Sequence, residues 1–324
     1  MSEMRWGIIG TGGIARTFAR DLKRTSGQSV VAVGSRSKEK AEAFASEFDC
    51  QPHASYESLV QSDVDAVYVA TPHPMHAPNT ILALQHGKPV LCEKPFAVNA
   101  RESASMIAEA KKSNLLLLEA MWSRFLPHYR RIREMIAAGD FGEIISISAD
   151  HGQNLPLPKY YRLHAPELAG GALLDLGIYP LSFAYFVLGK PQSVVAKGDL
   201  TETGVDSQTS IILRYDSGAH ANLTTTLLVK SPCTATIVGT QGTLFIDGDF
   251  YTPTSMRFKK VSGEIFEIPK SYEGHGLREQ AIEFEQLLRA GKKESELMSL
   301  SDTQSIMETM DEIRAQINLK YPFE

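Results

Sequence analysis

The 324-residue chain is 43% hydrophobic and 22% charged, with a formal net charge of −5. That length predicts two domains with sizeable cores, while the mild acidity and lack of a basic block argue against nucleic acid or a membrane surface as partner. No stretch approaches ~18 consecutive apolar residues, "MSEMRWGIIG" enters a strand without a signal-peptide layout, and Cys50, Cys92 and Cys233 lack metal-ligand spacing, so the expectation is a cytoplasmic protein that binds no metal.

The first third alternates short apolar runs with helical stripes. Trp6 to Ile9 reads as a strand, followed by a helix with Ile14, Phe18 and Leu22 on one face. Val30 to Val33 is a second strand, and Ala41, Phe44, Ala45 and Phe48 stripe the next helix. Ala66 to Ala70, Pro89 to Cys92 and Leu115 to Leu118 are three more strands, separated by helices through Ile81 and Leu84 and through Ile107 and Ala108. Apolar strands alternating with helices run parallel and are buried on both faces. The prediction is a doubly wound α/β sheet.

The pattern changes near residue 122, which divides the chain into expected domains 1–121 and 122–324. Ile145, Ile147 and Ala149 alternate with polar residues, as in a half-buried strand. Further strands are expected near 193–198, 208–215, 219–228, 234–239, 243–247 and 255–268. Two helices follow, striped by Leu277, Ala281, Phe284 and Leu288 and by Ile306, Met310, Ile313 and Ile317; Ser301 with Gln304 reads as a capping box for the second. The second domain is therefore expected to be an open, mainly antiparallel sheet with helices on one face.

"IIGTGGIA" places Gly10, Gly12 and Ala15 as G-x-G-x-x-A between a strand and a helix. Gly10 allows the tight turn, Gly12 lets a phosphate approach the backbone, and Ala15 lets helix and strand pack closely. With Thr11, Gly13 and Ile14 this turn is the expected pyrophosphate site of a dinucleotide. At the end of the second strand, where an acid would hold a ribose 2′-hydroxyl, stand Ser35 and Arg36, with Lys40 beyond. A guanidinium there suits a 2′-phosphate, so NADP is expected over NAD; a solvated basic loop is the plain alternative. "ATPHPMH" ends the third strand, and Thr71, Pro72, His73 and His76 are expected to contact cofactor or substrate rather than metal. "VLCEKPF" raises a further question: Glu93 and Lys94 either mark a strand leaving the core or present a reactive amine at the sheet's carboxyl edge.

Together GxGxxA, "ATPHPMH", "EKP" and "GGALLDLGIYP" resemble the Gfo/Idh/MocA oxidoreductases, and the resemblance extends to "LREQAIEFEQLL" near the end. "EAMWSRFLP", residues 119–127, is further similar to the dimeric dihydrodiol dehydrogenase branch and its NADP-dependent D-xylose dehydrogenase relatives. The resemblance implies a Rossmann domain, an α/β substrate domain and a nicotinamide cofactor. It also implies catalysis by Lys94, a cis Lys94–Pro95 bond, and Tyr179 in the position four after Asp175 where the family usually has His. Apolar "SIILRY" and "LTTTLL" need cover, and the resemblance likewise implies a homodimer or dimer of dimers through the second domain's sheet.

Strand carboxyl ends line the ligand crevice of a doubly wound sheet, which favours the reactive reading of Lys94, with Glu93 beside it at the cofactor. On a helix, Asp175 and Tyr179 share a face, unless Pro180 breaks it; the bland alternative is a buried apolar helix capped by its Asp. Trp122, Arg124, Phe125 and Arg162 are candidate substrate contacts, equally explained by packing. The reading is an NADP-dependent oxidoreductase moving hydride between nicotinamide and a secondary alcohol or carbonyl of a sugar, sugar derivative or cyclic vicinal diol, with Tyr179 taking the proton, Lys94 stabilising charge and Asp175 orienting the substrate. The alternatives are a non-catalytic NADP-binding regulator and a redox-cycling lyase or glycosidase.

Overall fold

The structure, a computed structural model, describes residues 3–324. Contacts divide it into two compact units, one running to Phe125 and taking in Gly274–Gln304, the other comprising Leu126–Glu273 and Ser305–Glu324. A single cut in the sequence therefore does not describe the division.

In the first unit β1 (Met4–Ile9), α1 (Gly13–Leu22), β2 (Gln28–Gly34), α2 (Lys38–Phe48), β3 (Gln51–His53), α3 (Tyr56–Val60), β4 (Ala66–Val69), α4 (His76–Gln85), β5 (Val90–Glu93), α5 (Ala100–Ser113) and β6 (Leu117–Ala120) follow in turn. The strands form a parallel sheet in the order β3-β2-β1-β4-β5-β6, the doubly wound arrangement that places ligands at strand carboxyl ends. β4, β5 and β6 are buried throughout, as strands covered on both faces must be. Local chemistry sets the helix ends: Ser37 and Asn99 accept the amides of Lys40 and Glu102 at 3.3 and 2.9 Å, and α5 stops at Asn114 with φ +52°.

Asp21 ties the 274–304 segment to this unit. Its buried carboxylate accepts the amides of His275, Gly276 and Arg278 at 3.1, 3.0 and 2.9 Å, and it thereby caps a later helix, whose Phe284 packs 5.1 Å from Trp6.

The second unit contains α6 (Pro127–Ala137), β7 (Ile144–Gly152), α7 (Ile178–Leu188) and seven strands: β8 (Ser193–Leu200), β9 (Asp206–Arg214), β10 (His220–Thr226), β11 (Ala235–Gly239), β12 (Gly242–Ile246), β13 (Met256–Lys260) and β14 (Ile265–Ile268). With β7 they make an eight-stranded sheet, β14-β13-β12-β11-β7-β10-β9-β8. Only β7 and β10 pair in parallel. Burial alternates residue by residue along β9 and β10, so one face is core, and α7 packs there on β7 and β10. The stretch Pro166–Leu188 is long and apolar enough to span a bilayer by length and composition, but 78% of its most apolar window is buried inside the fold, as expected for a helix apolar all round. The chain ends with α8 (Arg278–Arg289), the helix capped by Asp21, and α9 (Leu300–Gln316). Ser299, not Ser301, caps α9: its hydroxyl accepts the Asp302 amide at 3.0 Å, because the helix begins at Leu300, two residues earlier than a cap at Ser301 requires.

Candidate active site

The turn after β1 is shaped by backbone. Gly10 has φ +109°, and a Cβ there would stand 2.6 Å from the Ala70 carbonyl oxygen, so only glycine fits without strain. Gly12 is the extended N-cap of α1 and gives its helix no side-chain cap; a Cβ on it would meet nothing within 4 Å. The helix start is thus left with amides for an anion that can approach the bare backbone, and this turn fits a dinucleotide pyrophosphate.

A cavity of about 830 Å³ opens from this turn. It is lined by Gly10, Thr11, Gly12, Ser35, Arg36, Lys40, Thr71 and Pro72, all expected from sequence, and by Arg16, Ser37, Glu39, Ala43, Tyr56 and Ala70, which were not. Arg16 lies 5.2 Å over the Phe44 ring and pairs with Glu47. Its placement one helical turn past Gly12 was the available signal. Glu39 accepts the Ser37 hydroxyl at 2.7 Å, which holds its carboxyl below the usual range. Gly13, Ile14, His73, His76, Glu93 and Lys94 do not line this cavity.

Those last four gather at the carboxyl ends of β4 and β5. The Lys94–Pro95 bond is cis and Lys94 is half-buried. Beside it, the Glu93 carboxylate accepts the Tyr68 hydroxyl and, at 3.3 Å, the Lys94 amide. His76 links the elements on either side: Nδ1 lies 2.8 Å from the Pro95 carbonyl and Nε2 2.9 Å from that of Thr71. Complete burial, with His73 nearby, pushes its pKa down to about 3, so a neutral ring donates to one carbonyl only. His76 braces the Lys94 turn through backbone. On the next strand burial raises the Glu119 carboxyl to about 7, while the Thr303 hydroxyl donates to it at 2.8 Å.

In the second unit Asp175 and Tyr179 straddle a change of helix type. Leu173–Gly177 is one π-helical turn that runs into α7. Pro180 has no N–H for the Leu176 carbonyl four residues back, and that carbonyl instead accepts the Ile178 amide and faces His151 Nδ1 at 3.2 Å. A carbonyl cannot donate, so the proton sits on Nδ1. Asp175 pairs with Arg162 at 2.9 Å. Tyr179 is 6% exposed and packs in an aromatic group with His151 and Tyr251, ring centroids 5.2 and 4.7 Å away. Gln153 donates to the Tyr251 hydroxyl at 3.0 Å, and burial pushes that phenol above its usual range. His151 and Tyr251 escaped the sequence reading. For His151 the signal existed, since the alternation Ile145, Ile147, Ala149 carried on two residues points it inward; Tyr251 lies in an irregular segment with no periodicity to follow.

The structure treats the candidate substrate contacts unequally. Arg162 is 40% exposed while paired with Asp175. Trp122 is 4% exposed, 5.0 Å from the His275 ring. Phe125 is fully buried, and the buried Arg124 guanidinium reaches the Leu297 carbonyl and Asp302, each at 3.5 Å. Among the described residues no group of three His, Cys, Asp or Glu side chains converges as a metal site.

The fold and glycine turn define an oxidoreductase built on an NAD-binding Rossmann domain, and comparison with known proteins agrees. Residues 4–120 match the model of the oxidoreductase family with an NAD-binding Rossmann fold, and residues 129–245 match the GFO/IDH/MocA C-terminal domain. The chain is similar to trans-1,2-dihydrobenzene-1,2-diol dehydrogenase of Xenopus tropicalis (38% identity over 98% of this chain and 99% of that one) and to D-xylose 1-dehydrogenase (NADP(+)) of Hypocrea jecorina (35%, over 98% and 93%). Among solved structures it resembles a 3-ketoreductase from Actinomadura kijaniata in complex with NADP and TDP-benzene, with 28% identity, a TM-score of 0.86 and 98% of both chains covered. The chain belongs to the Gfo/Idh/MocA oxidoreductase family.

Proposed function

We propose that the protein is an NADP-dependent dehydrogenase or reductase acting on a secondary alcohol or carbonyl of a sugar, a sugar derivative or a cyclic vicinal diol. The observation that carries the cofactor choice is the cavity rim, where Arg36 and Lys40 stand beside the Glu39 carboxylate and Arg16 is already paired with Glu47. That balance suits a 2′-phosphate, which a guanidinium grips in a charge-assisted fork. The substrate class rests on the relatives named for a dihydrodiol and for D-xylose, which match nearly end to end.

In this reading Gly10 to Gly12 and the start of α1 hold the pyrophosphate, and the bound nicotinamide supplies the hydride acceptor. Tyr179 takes the hydroxyl proton. Lys94 supplies the positive charge that stabilises the developing alkoxide. Asp175, held by Arg162, orients the substrate hydroxyl, with Trp122 as the preferred aromatic wall. The three free thiols suit a reducing cytoplasm.

Assembly belongs to the same proposal. Val195 and Ile212 are paired across β8 and β9 and are 58% and 48% exposed; a second copy of the chain covers this face. Light scattering that finds only monomer overturns the dimer. For the reaction, a panel of sugars and vicinal diols is followed at the reduced-nicotinamide absorbance band with both cofactors. Turnover with NADP and a member of the panel is expected; binding of NADPH without turnover of any sugar or diol, in either direction, overturns the substrate class.

A further inference from the structure

The Asp175 segment is held from several sides, and one hold comes from far along the chain. The Tyr321 hydroxyl donates to the Gly170 carbonyl at 2.7 Å. Tyr321 is 3% exposed, and its ring lies beneath the Arg314 guanidinium, 4.5 Å from centroid to Cζ. Arg314 in turn pairs with Glu324, whose carboxylate also accepts the Tyr321 amide at 3.3 Å. Next to this lock the buried Asp206 carboxylate accepts the Leu173 amide at 2.8 Å and the Thr209 hydroxyl at 3.1 Å. Gly171, at φ +118°, lies so close to it that a Cβ would fall 2.1 Å from Oδ1. The Thr225 hydroxyl shares its proton between the His151 carbonyl at 3.1 Å and the Ala172 carbonyl at 3.3 Å.

The chain between Gly170 and Leu173 is thus pinned at consecutive backbone groups, two residues before Asp175. A glycine pair is the most mobile entry a helix can have, and a π turn replaces the regular i−4 ladder. Geometry imposed from outside must therefore fix where Asp175 points. We infer that Tyr321 is a positioning residue for Asp175, acting through the Gly170 carbonyl, with the Arg314–Glu324 pair holding Tyr321 in place. This rests on the proposed role of Asp175 in orienting the substrate. The phenol needs no chemistry of its own, and its burial pushes its pKa up, away from ionisation.

Three variants test it in the full-length protein: Tyr321→Phe, which deletes only the hydroxyl; Asp175→Asn; and the pair together. Phe323→Ser, at an exposed neighbour stacked on Tyr321, serves as the control. Tyr321→Phe is expected to lower kcat/KM for the best substrate of the panel by about 10-fold, within the range that small misplacements of a catalytic constellation cost. Its NADPH affinity, read by fluorescence titration, stays at the wild-type value, and so does its circular-dichroism spectrum. Asp175→Asn lowers kcat/KM at least as much, and the double variant is little worse than Asp175→Asn alone, since residues acting through one another are not additive. If Asp175→Asn impairs turnover while Tyr321→Phe stays within about twofold of wild type, the inference is overturned and the role of Asp175 stands. If neither variant impairs turnover, the role of Asp175 is itself wrong. A Tyr321→Phe protein that loses NADPH affinity in proportion to kcat/KM also overturns it, because that marks general loosening.

Discussion

At the end of β1 the chain is held by backbone alone: Gly10 takes φ +109° under the Ala70 carbonyl, and Gly12 begins α1 with no side-chain cap. At residues 170–177 of the other unit the same need for fixed geometry is met by side chains, with His151, Asp206, Thr225 and Tyr321 each gripping a backbone group. The nucleotide turn meets a ligand of constant shape, so a bare backbone with free amides suffices. The Asp175 segment must present side chains, and an irregular turn stays in one conformation only when its surroundings over-determine it. The first arrangement is fragile to one added methyl group; the second spreads its dependence over four residues.

The largest effects are expected where chemistry is removed without touching either scaffold. Tyr179→Phe should lower kcat by about 10² to 10⁴, the usual worth of a general base, with NADPH binding unchanged. Lys94→Met should cost at least as much, since it removes the charge that stabilises the developing alkoxide. Should Tyr179→Phe turn over at the wild-type rate with the same pH profile, the proton acceptor lies elsewhere.

The contrast within the nucleotide turn is sharpened by two alanines. Gly10→Ala forces a side chain into a left-handed backbone against the Ala70 carbonyl, and strain of this kind is worth about 1–3 kcal/mol. Its thermal midpoint should fall along with NADPH affinity. Gly12→Ala projects into open space, so the fold is spared and only the approach of phosphate is blocked. Equal midpoints for the two variants would falsify the division of labour between these glycines. A smaller effect follows at the rim, where Arg36→Ala should weaken NADPH by about 10- to 150-fold and leave NADH nearly unaffected; wild-type protein that binds both cofactors equally has no such contact.

The two regions were not equally legible in the sequence. Gly10, Gly12, Ser35 and Arg36 could be read because their roles are local: a turn of fixed spacing, and the residues just past a strand. β3 escaped, since Gln51–His53 is a three-residue edge strand containing Pro52, a residue tolerated there because an edge strand need not donate on its open side. The helical spacing of Asp175 and Tyr179 was visible and Pro180 marked trouble, but the π turn that resolves it depends on His151, more than twenty residues earlier. Likewise Tyr321 reaches Gly170 across 151 positions. Where geometry is imposed by distant side chains, no local pattern announces it.

The smallest expected effect concerns one buried acid in each unit, Glu119 and Asp206. Burial raises Glu119 in the first unit from 4.5 to about 7, and Asp206 in the second from 3.8 to about 6. Between the ordinary and the raised value the folded state binds more protons than the unfolded chain, so stability falls as pH rises through that window. For Glu119 the favourable contribution is complete below about 4.5 and lost as pH passes 7. His76 works in the opposite sense: lowered from 6.5 to about 3, its contribution is complete above 6.5 and lost as pH falls toward 3. Glu119→Gln keeps an acceptor for Thr303 and removes the titration. Urea melts should find it more stable than wild type above pH 7, by roughly 1–3 kcal/mol, with the difference closing below 4.5. Asp206→Asn should behave in the same way in the lower window, which assigns each slope to its own unit. Wild type and Glu119→Gln melting with identical pH dependence would mean that Glu119 titrates as an ordinary carboxylate.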